Sequence, residues 1–306
     1  RSFMDQHISD AKLTLKKNGK SFYWAGKFLP SAYIDRASEL YQFCRVLDDI
    51  ADSGERRSLQ TLKKIKSNFI NHKELKFKNN CNLKYPSFFN IYSKKAATHL
   101  IDGLILDQST VLFKEEEELV QYAYYVLGTV GLMMCDALKC KNKDAYLFAI
   151  DLGIAMQLTN IARDVLEDAK MGRRYIPGSW INNISPNAMI QGVNDNNTEI
   201  FRTVSFGIKK LLNLAEKYYY SGTQGLIFLP LKTRIAISIA SGVYRQIGIQ
   251  LKLKNYCWYN GRQVTSNITK AKVTFFKIIE EFVRNKNQKN HDPELHRFLK
   301  EIIVSE

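Results

Sequence analysis

Apolar residues recur at intervals of three and four along most of the chain. Between positions 33 and 53, Leu40, Phe43, Cys44 and Leu47 share one helical face while Asp35, Arg36 and Glu39 fall largely on the other, the pattern of a helix with one side on a core. The same spacing predicts helices over 59–70, 87–106, 115–138, 144–169, 199–220, 230–253 and 268–283. No run alternates apolar and polar residues between hairpin turns. The expected fold class is therefore all-α, with about eight to ten long helices.

Segments rich in Asn, Gly, Pro or Lys separate these helices at 79–86, 172–197 and 285–292. The longest, 172–197, exceeds an ordinary helix connection and reads either as a lid or binding loop or as a disordered surface insertion. No repeat and no apolar-poor linker divides the chain, so residues 1–306 are expected to form one domain. Positions 119–135 carry no charge. That length is at the lower edge for crossing a bilayer, and its Gln, Thr and Gly residues favour a buried core helix.

Composition narrows the chemistry. With 306 residues, 45% of them apolar and only 6 prolines, the chain suits a folded core large enough to enclose a ligand. A net charge of +15 points to an anionic partner: nucleic acid, lipid headgroups or a phosphorylated substrate. Five cysteines without a CxxC pair suit a reducing compartment, and with no secretory pattern over 1–10 the expected location is cytoplasmic.

Two acidic clusters stand out. In VLDDIAD, Asp48 and Asp52 share a helical face beside Asp49; alone, this reads more readily as a solvated acidic face. In GIAMQLTNIARDVLED, Asn160, Asp164 and Asp168 recur at steps of four behind Gln157, on a helix otherwise lined by Ile154, Leu158, Ile161 and Val165. Such a stripe is costly to bury without a ligand. Two carboxylate stripes suit a hard divalent cation that bridges protein oxygens to a diphosphate. Arg45, Arg163, Arg173 and Arg174 lie close in sequence and supply planar donors for phosphate oxygens, and Lys20 and Ser21 add to the same pole.

Phe22, Tyr23, Trp24, Tyr41, Tyr122, Tyr124 and Tyr125 supply aromatic faces that attract a passing cation, although core packing explains each singly. Gly128 and Gly131 inside a helix ask for close packing or room for a ligand. His291 and His296, in HDPELH, read as a solvated terminal segment rather than a zinc site. No nucleic-acid-binding signature accompanies the charge, and no nucleic-acid partner is expected.

The strings YQFCRVLDDIAD, YVLGTVGLMM and QLTNIARDVLEDAKMGRRYIP resemble those of the squalene and phytoene synthases, the head-to-head isoprenyl diphosphate synthases. The likeness is strong over 20–177 and looser through Tyr244, and its wording is most similar to the bacterial phytoene synthase branch. The resemblance implies an isoprenoid synthase fold around a central cavity. It implies condensation of two geranylgeranyl diphosphates to phytoene through a cyclopropyl diphosphate, dependent on Mg²⁺ or Mn²⁺ and without NADPH. Asp48, Asp52, Asp164 and Asp168 would be catalytic metal ligands together with Asn160, and Asp49 would support the first motif. Lys20, Ser21, Tyr41, Arg45, Gln157 and Arg163 would hold diphosphate near Tyr175. Phe22, Val126, Gly131 and Leu158 would line the prenyl tunnel. Tyr244 would be a catalytic contact on a late helix, with Arg262 a weaker candidate. The alternatives are a C30 squalene or dehydrosqualene synthase using farnesyl diphosphate and a non-catalytic membrane or assembly partner of the same fold. The terminal FLKEIIVSE does not read as a membrane anchor, so a peripheral membrane contact is expected.

Overall fold

The computed structural model describes residues 3–53, 57–71, 75–76 and 82–303. Cys81 lies outside them, and the other four cysteines are free thiols. The helices are α1 (Phe3–Asn18), α2 (Lys20–Gly26), α3 (Ser31–Asp52), α4 (Ser58–Ile70), α5 (Ile91–Leu106), α6 (Glu116–Ala123), α7 (Thr129–Ala137), α8 (Asp144–Arg163), α9 (Val165–Lys170), α10 (Pro186–Asn194), α11 (Thr198–Gln224), α12 (Leu231–Leu253) and α13 (Asn267–Val283). One two-residue antiparallel pair, Leu75–Lys76 with Asn82–Leu83, is a minor departure from the helical expectation.

Helix α8 forms the centre because it is apolar almost all round, which leaves no face fit for water. Ile154, Ala155, Leu158 and Ala162 are fully buried, and α7, α11 and α12 pack around it. Among the described residues it is the one helix long and apolar enough to cross a membrane, and 78% of its apolar window is buried. The charge-free stretch 119–135 is core as expected, with Leu119, Tyr124 and Met133 fully enclosed.

Two glycines explain how tightly α8 is held. A Cβ at Gly131 would lie 2.1 Å from the Ala149 carbonyl oxygen, and one at Gly153 would lie 2.1 Å from that of Leu127. The backbones of α7 and α8 therefore touch, a contact only glycine permits.

The helix expected over 115–138 is interrupted by a π-turn, Tyr124–Gly128. Such turns widen a helix locally and re-aim its side chains, and here Val126 and Leu127 reach the central cavity. The helix expected over 144–169 breaks at Asp164, whose φ and ψ of −106° and 18° divide α8 from α9. The 172–197 segment is no disordered insertion. It holds α10, capped by Ser185, and buries Ile181 and Met189, while the buried Arg174 guanidinium donates to the carbonyls of Phe113 and Ile184.

Candidate active site

The first acidic motif lies in the last two turns of α3. Asp48 is half-buried, and its carboxyl is pushed up to about 7 by burial first and then by the neighbouring Asp52 carboxylate. Arg45 does not neutralise it: that guanidinium pairs with Asp49 at 2.8 Å, one turn on and largely in solvent. The motif thus retains the like-charge tension that four-residue spacing creates.

The second motif straddles the α8–α9 break. The backbone N–H of Asp164 still donates to Asn160, and that of Asp168 to Asp164, at 3.0 and 2.8 Å. The polar stripe therefore keeps its register although the helix is not continuous. Asp168 is pushed up to about 7 by burial and then by Asp164. Asp164 is held differently. Arg163 grips both carboxylate oxygens at 2.7 Å, and Arg262 reaches the same group at 3.0 Å from the connection before α13. Arg262, the weakest expectation from sequence, thus sits against the second motif.

Asp107, just beyond the end of α5, joins the two motifs and was missed in the sequence. Burial raises its carboxyl, and its field raises Asp48 and Asp168 in turn. It accepts hydrogen bonds from Tyr122 at 2.8 Å and Tyr175 at 2.6 Å, whose rings stack at 4.7 Å. Arg173 donates to its carbonyl at 3.0 Å. Of the two arginines opening the long connection, Arg173 therefore faces the acidic pole while Arg174 serves the fold. One sequence signal marked Asp107: an acid directly after an apolar helix sits at the negative end of the dipole, where it is disfavoured unless something else requires it.

Below this pole opens a cavity lined by Phe22, Tyr41, Asp48, Val126, Gln157, Asn160 and Tyr244 among others. It shares Phe22, Leu127, Val130, Met134, Ile237 and Ala240 with a second cavity, which continues past Gly131 to Leu138, Ala149, Leu226 and Leu229. The space is polar at one end and hydrocarbon thereafter. Tyr244 projects from α12 and donates to Asn160 Oδ1 at 2.7 Å, and Phe22 stacks on it at 5.4 Å. Asn160 in turn donates to Gln157 at 3.2 Å. Burial raises the phenols of Tyr41 and Tyr244.

Not every expected residue joins this site. Leu158 is fully buried in the core and lines neither cavity, because its side of α8 faces packed neighbours. Gly131 reaches the second cavity, but its missing side chain serves helix contact. Lys20 is exposed at the start of α2, beside the half-buried Ser21. Its charge acts on the ammonium of Lys270 in α13.

The terminal histidines correct the sequence reading. His291 and His296 are not solvated: their Nε2 atoms lie 2.7 and 2.5 Å from opposite oxygens of the fully buried Asp151 on α8. The Ser221 hydroxyl donates to the same carboxylate at 2.5 Å. One donor atom from each of the three residues falls within 4.8 Å of the others, close enough to hold a metal ion. The hydrogen bonds already satisfy the group, and it lies away from the acidic pole.

The oxygen-only donor set of the two motifs, with raised carboxyls on both sides, fits a hard divalent cation. The squalene/phytoene synthase family profile matches residues 15–272. A phytoene synthase of Pseudescherichia vulneris is 30% identical over 278 residues, spanning 85% of this chain and 87% of the relative. A 15-cis-phytoene synthase of Pantoea ananas is 29% identical over 94% of this chain and 95% of its own. Among solved structures, a dehydrosqualene synthase in complex with a ligand superposes with a TM-score of 0.76 at 24% identity, over 90% of this chain and 96% of that one. The chain belongs to the squalene/phytoene synthase family.

Proposed function

We propose that the protein is a phytoene synthase, a prenyltransferase that joins two geranylgeranyl diphosphates head to head. The observation that carries this reading is the pair of crowded carboxylate motifs at the polar mouth of a long apolar cavity. Curated relatives named as phytoene synthases, about 30% identical over most of the chain, favour the C40 product over a C30 one.

Mg²⁺ held by Asp48, Asp52, Asn160, Asp164 and Asp168 would neutralise the charge that grows on the departing diphosphate. Arg163 and Arg262, which now pair with Asp164, would turn to phosphate oxygens when substrate is bound and leave that carboxylate free to act as a ligand. Arg45, one turn before Asp49, and Arg173, beside Asp107, would add donors to the same pole. Gln157 and Tyr244 hold Asn160 in place, and the aromatic faces of Phe22, Tyr41 and Tyr244 border the space where positive carbon forms. Lys20, Ser21 and Tyr175 complete the diphosphate pole in this reading. The apolar walls keep water from the cation until the second chain's double bond attacks it. That attack forms one carbon–carbon bond as one diphosphate leaves, and loss of one proton frees the electron pair for the second bond, which closes the ring of the cyclopropyl diphosphate. Loss of the second diphosphate and a second proton gives the polyene without a reductant, so NADPH is not required.

The protein would act in the cytoplasm and meet membranes peripherally. The test is to incubate purified protein with geranylgeranyl or farnesyl diphosphate and Mg²⁺, with and without NADPH, and to identify the extracted hydrocarbon by mass spectrometry. A C40 product independent of NADPH is expected. A C30 product would move the chain to the dehydrosqualene or squalene branch, and absence of both product and released diphosphate would overturn the enzymatic reading.

A further inference from the structure

Helix α13 is apolar on two faces, and the described residues cover only one. Its inner face packs on α12 and α2: Val273 and Ile278 join the cluster around Ile239, Ala240 and Val243, and Thr274 accepts a hydrogen bond from Trp24 Nε1 at 2.9 Å. Its outer face exposes Ile268, Phe275, Phe276, Ile279, Phe282 and Val283, each between 45% and 76% accessible. At about 100° per residue these six fall on one arc, with Lys272 and Ala271 the other exposed members. No carboxylate lies in that arc. Glu280 stands at its edge, tied to Lys277 at 2.8 Å and Arg284 at 3.3 Å. A contiguous apolar strip of this kind marks a binding surface.

Charge and position identify what it binds. Lys27, just after α2, is exposed and lies close enough to the buried Lys270 to act on its charge, so it flanks the start of the strip beside the exposed Lys272. Along the other edge of α13 runs a groove lined by Phe28, Leu29, Lys232, Ile235 and Ile278. Leu29 is also a wall of the central cavity, so the groove and the prenyl space share that residue.

We propose that the outer face of α13 docks on an anionic phospholipid bilayer and that the groove at Leu29 is where prenyl chains pass between bilayer and cavity. This deepens the peripheral contact proposed above and rests on that reading. The aromatic residues enter the acyl boundary, Lys27 and Lys272 meet the headgroups, and a water-insoluble hydrocarbon leaves without crossing water.

The test is sedimentation of the full chain with vesicles of phosphatidylcholine containing phosphatidylglycerol, comparing wild type, the F276S/F282S double variant and the F276L/F282L double variant. Wild type and the leucine variant should pellet with the vesicles, less so as salt rises, and the serine variant should bind roughly tenfold more weakly or worse. Circular dichroism confirms that the serine variant is folded, and its turnover on micellar substrate should match wild type. Equal pelleting of wild type and serine variant would overturn the proposal. So would a wild type that ignores vesicles but forms a dimer that the serine variant dissolves, since the face would then belong to a second copy. Loss of micellar turnover in wild type itself would instead sink the phytoene synthase reading, and the vesicle comparison would still decide the docking face.

Discussion

Helix α8 carries acidic residues into two buried settings, and the settings are opposites. At its C-terminal end Asp164, with Asp168 across the break, faces Asp48, Asp52 and Asp107; like charges crowd, and burial raises Asp48, Asp107 and Asp168. Three turns earlier, Asp151 receives hydrogen bonds from Ser221, His291 and His296. Burial pushes its carboxyl up, but the histidine bonds outweigh that and hold it below the ordinary carboxylate range. Carboxylates left in mutual repulsion stand ready for a cation from outside, whereas one fully supplied with donors from its own chain is part of the fold. Acidity and burial alone do not separate these cases; the partners do.

The largest effect should come from breaking the first setting. Asp48→Ala or Asp168→Ala should lower Mg²⁺-dependent diphosphate release by about 10³-fold or more. Without metal, the folded protein should be no less stable than wild type, because a repelling charge has been removed. Turnover within tenfold of wild type would remove these residues from the metal site.

The mirror experiment breaks the second setting. His296→Ala leaves Asp151 buried with one hydrogen-bond partner fewer and should cost about 2 kcal/mol of unfolding free energy in urea. Turnover per folded molecule should hold, since the cluster lies away from the acidic pole. A variant that keeps its stability and loses activity would reverse the roles assigned to the two regions.

Their pH responses should also run in opposite directions. Asp48 and Asp168 have folded values near 7 against an ordinary 3.8. Their contribution to stability is fully present below about 4 and is lost as pH rises towards 7. Asp151 has a lowered value, so its contribution is present above the unfolded value and is lost as pH falls through the folded one. The melting temperature of the metal-free protein should therefore decline between pH 4 and 7, Mg²⁺ should restore it near pH 7, and D48N/D168N should flatten the decline. A wild-type curve that rises over this range, unaffected by Mg²⁺, would contradict the crowding.

The same contrast explains what could be read before the fold was known. Helical period revealed the long helices because each buries one face, and both acidic motifs were visible because their spacing is local. Asp107 lies 59 positions after Asp48 and acquires its role only when α5 ends against α3 and α9. The pairing of His296 with Asp151 spans 145 positions, so a terminal HDPELH could only look solvated. Gly131 and Gly153 left two explanations open until the touching backbones of α7 and α8 chose one. The outward face of α13 escaped notice because an amphipathic pattern announces one apolar side, and this helix has two.

The smallest effect tests how Asp164 is shared. Arg163 holds it with two short bonds in a largely buried position, while Arg262 is 52% exposed and makes a single close contact at 3.0 Å. An ion pair so open to solvent contributes about 0–1 kcal/mol to stability, so Arg262→Ala should unfold at nearly the wild-type urea concentration. If Arg262 turns from Asp164 to phosphate when substrate enters, its loss weakens ground-state and transition-state binding alike. The expected kinetic result is a KM raised about three- to tenfold with kcat little changed. Arg163→Ala should raise KM further and lower kcat as well, because it also leaves Asp164 without its main partner. Steady-state kinetics on both variants would decide the order, and a larger kcat loss in Arg262→Ala than in Arg163→Ala would show that the exposed arginine, not the buried one, governs diphosphate release.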